Sequence, residues 1–260
     1  MSSSKEGNKM RIEVIGVEGI PIVKEGDDIA SMILEAAEAQ GTPIQEGDIV
    51  VITHVVVSRI EGRTVDLRQV KPSKVAENFA AFTGKDPRLV EVILQNSRAV
   101  RRMRVGLLVT ETPDGVVCAN SGVDVSNVSG GDVAAPLPED ADASAKRIKE
   151  RLSLLSGKEV AVIVCDSHGR AFRLGAVNVA IGLHGLSAIW DRRGEKDLFG
   201  YQLKVKEIAV ADELASAAEL VIGQADEGVP VAIIRGYPYK KSVTSMAKDL
   251  VRPRELDVFI

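Results

Sequence analysis

Aromatic residues are scarce, with Phe, Trp and Tyr making up 3% of the 260 residues. That shortage argues against the base-stacking platforms of single-strand nucleic-acid binders. It also means that the core must be built mainly from Val, Ile, Leu and Ala. Cysteine occurs twice, at Cys118 and Cys165. The two lie far apart and lack any paired zinc or redox spacing, so no disulfide framework is expected and both thiols should stay reduced. The three histidines, His54, His168 and His184, are too scattered in sequence for a zinc motif. The longest apolar stretch, residues 49–57, is interrupted by Thr53 and His54 and is too short to span a bilayer. A formal net charge of -4 gives no general attraction to nucleic acid or anionic lipid. Residues 1–10 are mostly polar, without an apolar signal core, and are expected to be disordered. The expectation is a soluble, cytoplasmic protein of α/β type.

Nucleotide signatures are also missing. Gly84-Lys85 and Gly157-Lys158 are not followed by Ser or Thr, and no G-x-G-x-x-G follows a strand pattern. Any nucleotide must therefore be held by an unusual set of loops and by metal.

Periodicity predicts a first strand over residues 11–17, broken at Gly19-Ile20-Pro21, and a helix capped by Asp27 or Asp28 that runs to Ala39. Residues 48–57 are rich in β-branched side chains and read as a central strand. Helices follow over 72–83 and 87–100. A hairpin spans 105–119 around Thr112-Pro113-Asp114-Gly115. A helix over 142–156 leads into a strand ending at Asp166. Short strands are expected at 176–181 and 186–189, a helix turning in near Ala211 and ending at Gly223, and a last buried strand over 229–235. Residues 126–142 form a long polar loop, and the tail from Lys240 is charged and weakly patterned.

Three clusters could carry chemistry. In Val162-Ile163-Val164-Cys165-Asp166-Ser167-His168-Gly169-Arg170 an apolar run ends in a carboxylate and a hydroxyl, followed by Arg170 and Arg173. Oxygen donors at the carboxyl end of a buried strand suit magnesium or manganese, and guanidinium groups suit phosphate or carboxylate. In Asn120-Ser121-Gly122-Val123-Asp124-Val125-Ser126-Asn127, Gly122 permits a sharp turn that would aim Asp124 and Asn127 at one ligand. In Ile222-Gly223-Gln224-Ala225-Asp226-Glu227-Gly228-Val229, two glycines would let backbone N–H groups approach an anion.

Taken together, these clusters resemble the γ-glutamyl ligase family of coenzyme F420, the deazaflavin hydride carrier. The resemblance covers residues 11–236. It adds Val17-Glu18-Gly19-Ile20-Pro21, Ser58-Arg59-Ile60-Glu61-Gly62-Arg63, Ala180-Ile181-Gly182, Gly185-Leu186, Lys196-Asp197-Leu198-Phe199-Gly200 and Val210-Ala211-Asp212-Glu213. It implies an uncommon α+β fold of mixed sheets with packed helices, an intertwined homodimer with the site near its interface, and a tail over 237–260. The implied activity is GTP-dependent, GDP-forming addition of L-glutamate to the lactyl-phosphate end of the coenzyme precursor through an acyl phosphate. Two Mn2+ or Mg2+ ions per site, with K+, would assist.

By matching positions, the resemblance implies that Asp124 and Asp166 bind one metal, and Ser167 and Gln224 a second. Asp124, Asp166 and Arg170 become the expected catalytic residues. GTP would be held by Asn127, by Ile222, Gly223, Gln224, Ala225, Asp226, Glu227, Gly228 and Val229, and by the backbone of Ile20, Pro21, Ile22 and Val23. His54, Val55 and Arg59 fall where the family also contacts nucleotide. His54 and Val55 replace other polar residues that are frequent there, and Arg59 a frequent lysine. His168 stands for a frequent Asn, and Ala225 for a frequent Gly.

The residues themselves keep blander readings open. His54 reads equally as a satisfied core histidine, the 101–104 basic stretch as solvated, and Arg170 and Arg173 as structural ion-pair partners. Trp190 reads as a core or interface anchor. Glu207, Glu213 and Asp226 are candidates for the base that deprotonates the glutamate amine. The rival functions are a non-catalytic nucleotide- or coenzyme-binding relative and the same ligase chemistry with another amino acid.

Overall fold

The computed structural model describes residues 10–128 and 131–258, so the segment expected to be disordered lies outside the described residues but for Met10. In chain order the elements are β1 (Glu13–Gly16), α1 (Ile29–Ala39), β2 (Ile49–Thr53), α2 (His54–Ile60), β3 (Val65–Asp66), α3 (Lys74–Thr83) and α4 (Pro87–Gln95). Then come β4 (Ala99–Arg104), β5 (Leu107–Glu111), β6 (Val117–Ala119), β7 (Val133–Ala134), α5 (Ala141–Ser156), β8 (Ala161–Gly169) and β9 (Ala176–Leu186). The chain continues with β10 (Trp190–Asp191), β11 (Glu207–Ile208), α6 (Val210–Ile222), β12 (Val231–Arg235) and β13 (Lys241–Ser242).

The central sheet has the order β1-β12-β2-β8-β9-β13 and is mixed: β2 and β8 pair in parallel, and the other pairs are antiparallel. Its central strands read as unbroken apolar runs because both faces are covered. Val50 and Ile52 of β2, Val162 and Val164 of β8 and Ile233 of β12 pack towards α1 and α5. Their alternate neighbours Ile49, Val51, Ala161, Ile163, Ala232 and Ile234 pack towards α6. The period of two thus splits each run between two cores. A third core lies under the small β4-β5-β6 sheet, where Leu108 meets Ala76 and Ala80 of α3 and Val90 and Ile93 of α4. The architecture is α+β, with mixed and antiparallel sheets and packed helices.

Helix ends follow local chemistry. Asp28, Ser73, Asp86 and Asp140 cap α1, α3, α4 and α5 through side-chain oxygens, and Gly84 and Gly157 close α3 and α5 with positive φ.

Four sequence expectations are corrected. The strand expected over 48–57 stops at Thr53, and His54 to Ile60 form a helix despite three consecutive valines. Val56 and Val57 are buried in the core beneath α1, so packing overrides β propensity. The helix expected to reach Val100 ends at Gln95, and Ala99 and Val100 begin β4, paired to Glu111 and Thr110. The strand expected to end at Asp166 continues to Gly169. The two short strands after it are one strand, β9, running through Gly182 and Gly185. Those glycines do not break it; they make room for neighbouring backbone. Within the weakly patterned tail, β13 pairs with β9 and Ala247 packs in the core under α6.

Candidate active site

The parallel pairing of β2 with β8 sets the site. Thr53, the last residue of β2, lies beside Cys165 in the middle of β8, so the next residues, His54 and Asp166, stand side by side where β2 ends. Asp124 arrives from the opposite wall. The chain reaches it through Asn120, Ser121 and Gly122, all at positive φ, and a bridge to Ala135 fixes its backbone. Buried Ser121 anchors the turn through hydroxyl contacts of 2.7 Å with Thr110 and Ser97. A Cβ on Gly122 would meet the Leu137 side chain at 2.7 Å, so the turn that re-aims Asp124 requires glycine.

The result is a cleft of about 690 Å3. Its walls include Ile20, Pro21, Ile22, Val23, Val55, Arg59 and Asn127, together with Ile222, Gly223, Gln224, Ala225, Asp226, Glu227, Gly228 and Val229. Asp124, Asp166, Ser167 and His54 also face it. Every nucleotide- and metal-binding position expected from the sequence therefore lines one cleft. Arg170 does not. Its guanidinium donates to the Leu174 carbonyl at 2.9 Å, and neither it nor Arg173 forms an ion pair among the described residues. Of the three candidate bases only Asp226 lines the cleft; Glu207 pairs with Arg193 at 3.1 Å.

At the centre, His54 Nε2 lies 3.3 Å from Asp124 Oδ2 and 3.3 Å from Asp166 Oδ1. One ligand atom from each residue falls within 4.8 Å of the others. On the far side of Asp166, His168 Nε2 lies 3.0 Å from Oδ2, and the same ring meets the Cys118 thiol. Burial works against charge on all three groups, yet mutual attraction prevails. Burial would raise the Asp166 pKa, but His54 and His168 hold it far below the usual carboxylate range. Burial would lower both imidazoles, but Asp166, helped at His54 by Asp124, raises His54 to about 9 and His168 to about 10.

These shifts predict how the chelated protein behaves. A raised imidazole pKa means that its contribution to stability is fully present below about pH 6.5, the ordinary value, and is lost as pH climbs through about 9 to 10. The melting temperature should fall across that upper window, and His168→Asn should flatten the fall.

A second set of oxygens lies beside the first. Ser167 Oγ donates to Gln224 Oε1 at 2.8 Å, and Gln224 Nε2 donates to Glu219 Oε1 at 2.7 Å. The other oxygen of Glu219 accepts from Asn178 N at 2.7 Å. Glu219 therefore fixes which end of the Gln224 amide faces Ser167. Glu219, Asn178 and the role of His168 were not anticipated from the sequence. One signal was available for Glu219: an acid in the last turn of a helix opposes the macrodipole, which is a local cost with no local return. For His168 the signal was the strand period, which puts it on the same face as Asp166. Glu219→Gln should let the Gln224 amide flip; a second cation held by Ser167 and Gln224, as the resemblance implies, would then bind about tenfold more weakly, with the first site unchanged, as read by isothermal titration with Mn2+.

The loop at 222–229 closes on itself. Gly223 adopts φ 73°, and a Cβ there would overlap the Glu227 carboxylate. That carboxylate accepts from Ala225 N at 2.8 Å, and backbone hydrogen bonds lower its pKa. Across the cleft, Arg59 Nη1 donates to the Val128 carbonyl at 2.7 Å, so this guanidinium braces the loop that carries Asn127. The basic stretch at 101–104 lies in β4. There Arg101, with Arg98 just before the strand, is paired to buried Glu111.

The cleft thus combines two convergent carboxylates with an oxygen-lined loop, and comparison with known proteins decides the family. The F420-0:γ-glutamyl ligase family model matches residues 19–236. The chain belongs to the F420-0:γ-glutamyl ligase family. A coenzyme F420:L-glutamate ligase of Methanothermobacter thermautotrophicus is 53% identical over 251 residues, spanning 96% of this chain and 99% of the relative. The protein of that name from Methanocaldococcus jannaschii is 48% identical over 96% of this chain and 98% of its own. That from Methanopyrus kandleri is 47% identical over 86% and 88%. The family match includes β2, β8, β9 and β12 of the central sheet and all of the residues described above as lining the cleft.

Proposed function

We propose that this chain is a GTP-dependent, GDP-forming ligase that adds L-glutamate to the coenzyme F420 precursor by amide bonds, with residues 11–236 as the ligase domain, residues 237–260 as a tail, and the cytoplasm as its place of work. The observation that carries this reading is the convergence of Asp124 and Asp166 in a cleft walled by the 20–23 and 222–229 loops. The family membership and the names of the relatives agree with it.

A carboxylate does not yield an amide until its oxygen becomes a good leaving group. Transfer of the γ-phosphoryl group of GTP to the precursor's carboxylate supplies one, as an acyl phosphate. The α-amine of glutamate then attacks the acyl carbon, loses a proton, and inorganic phosphate departs. The difficulty lies in bringing two anions together: at an effective dielectric of about 20, like charges about 4 Å apart repel by roughly 4 kcal/mol. Divalent Mn2+ or Mg2+ supplies the compensating charge, and K+ is a further candidate. Asp124 and Asp166 would hold one ion, and Ser167 with Gln224 a second. All-oxygen donors at these positions suit hard cations. His54, Val55, Arg59, Asn127 and the two loops would hold the nucleotide, with Val55 able to contribute only through its backbone. Asp226 is the candidate base that lies in the cleft.

The chain is also proposed to work as an intertwined homodimer. In the arm between β10 and β11, Leu198 is 100% exposed and Phe199 95% exposed, which is costly for a monomer in water. A Leu198→Glu/Phe199→Glu double variant should sediment as a monomer where the unmodified chain sediments as a dimer.

The test of the function is direct. Protein is incubated with precursor, L-glutamate, GTP and Mn2+, and the products are read by mass spectrometry. Glutamylated product with GDP is expected. Bound nucleotide without glutamyl addition would point to a non-catalytic relative, and addition with ATP alone would overturn the GTP assignment.

A further inference from the structure

We propose that His54 is a nitrogen ligand of the divalent ion held by Asp124 and Asp166, in place of the nucleotide contact given to it above, so that this chain has a mixed His–Asp–Asp centre; the inference rests on the metal reading above and narrows it.

The distances favour ligation over a simple ion pair. A charge-assisted N–H···O bond spans about 2.7–2.9 Å, and the His168–Asp166 contact at 3.0 Å comes close to that. His54 Nε2 instead stands at an equal 3.3 Å from two oxygens of two different residues. A single N–H cannot point at both. Donor atoms bonded at about 2.1 Å to one ion lie about 3.0 Å apart in an octahedron and about 3.4 Å apart in a tetrahedron. The His54 spacings fall between these two values.

Placement points the same way. His54 is the first residue of α2, fixed by the pairing of Thr53 with Cys165, and its side chain is only 2% exposed. Its Nδ1 is buried without a hydrogen-bond partner among the described residues. A histidine kept for core structure would have both nitrogens satisfied. Here packing orients the ring, and Nε2 alone meets polar groups, all of them carboxylate oxygens. His168 has a different part: it holds the second oxygen of Asp166 and orients that carboxylate.

The consequence is a change in metal preference. Carboxylates alone favour hard Mg2+ and Mn2+, whereas an imidazole shifts preference towards borderline ions such as Co2+ and Zn2+. His54→Gln should lower the ratio of Co2+ to Mg2+ affinity by about tenfold or more.

Pulsed electron paramagnetic resonance of the full chain loaded with Mn2+ alone tests the ligand directly. One directly bound imidazole nitrogen should modulate the echo, be lost in His54→Gln, and persist in His168→Asn and His184→Gln. Unmodified chain grown with 15N-histidine should show the 15N pattern, a readout that needs no variant to fold. Mn2+ bound in the cleft, lost in Asp166→Asn, but with no nitrogen coupling, would overturn the role of His54 and leave the carboxylate site standing. Failure of Mn2+ to bind would overturn both.

Discussion

Asp166→Asn is expected to lower glutamyl transfer by at least about a thousandfold, equivalent to about 4 kcal/mol of transition-state stabilisation, while the chelated protein stays folded. Asn keeps the volume of the side chain and one carbonyl oxygen, so the buried space beside β8 is filled as before. What disappears is the charge that faces both His54 and His168 and that would neutralise a divalent ion. The effect should appear in the rate at saturating substrate. Asp124→Asn should be severe as well, and the double variant little worse than Asp166→Asn, because ligands of one ion act as a unit. Single-turnover kinetics on the three variants would test this. Near-normal turnover in Asp166→Asn would remove the metal from the account.

The second large effect is on stability. A Cβ at Gly182 would lie 2.3 Å from the backbone carbon and oxygen of Ala141, the first residue of α5. No rotamer can relieve a clash with main chain, so the start of α5 must move off the sheet. That start is anchored by Asp142, which accepts from Leu183 N at 2.8 Å and Ala247 N at 3.0 Å. Gly182→Ala should therefore cost about 3 kcal/mol or more and lower the melting temperature by about 10 °C. Gly182 lies opposite Val164, where the β8–β9 register shifts just before Asp166, so the strain is delivered next to the active site. Gly169→Ala is the control, since its Cβ would meet nothing within 4 Å and its φ is not in the positive region; it should change stability by less than about 0.5 kcal/mol.

The contrast between these glycines shows what the sequence made legible. Capped helices were readable because Asp28, Ser73 and Gly157 act on their own neighbours. The buried strands of β2, β8 and β12 were readable because long apolar runs have few other uses. Both large errors came from positions governed by distant packing. Val55-Val56-Val57 turn helical because the core beneath α1 takes Val56 and Val57, and Gly182 continues a strand because α5 crosses it closely. At the site, Asp124, Asp166, Ser167 and Gln224 stood out as polar residues at the ends of apolar elements. Glu219, Asn178 and His168 did not, since their parts depend on contacts across 41 to 46 residues of chain or on a strand running further than expected. Arg170 misled for the opposite reason. Its neighbours in sequence belong to the site, but the bend after β8 carries its side chain away.

Asp124 and Asp166 are proposed to share one divalent ion. Anomalous diffraction at the manganese edge, from crystals of the intact chain soaked with Mn2+ and GDP, tests it most directly. The predicted result is a peak within bonding distance of both carboxylates, about 2.1–2.3 Å from an oxygen of each. A nucleotide-bound cleft whose manganese peak lies away from either residue would contradict it.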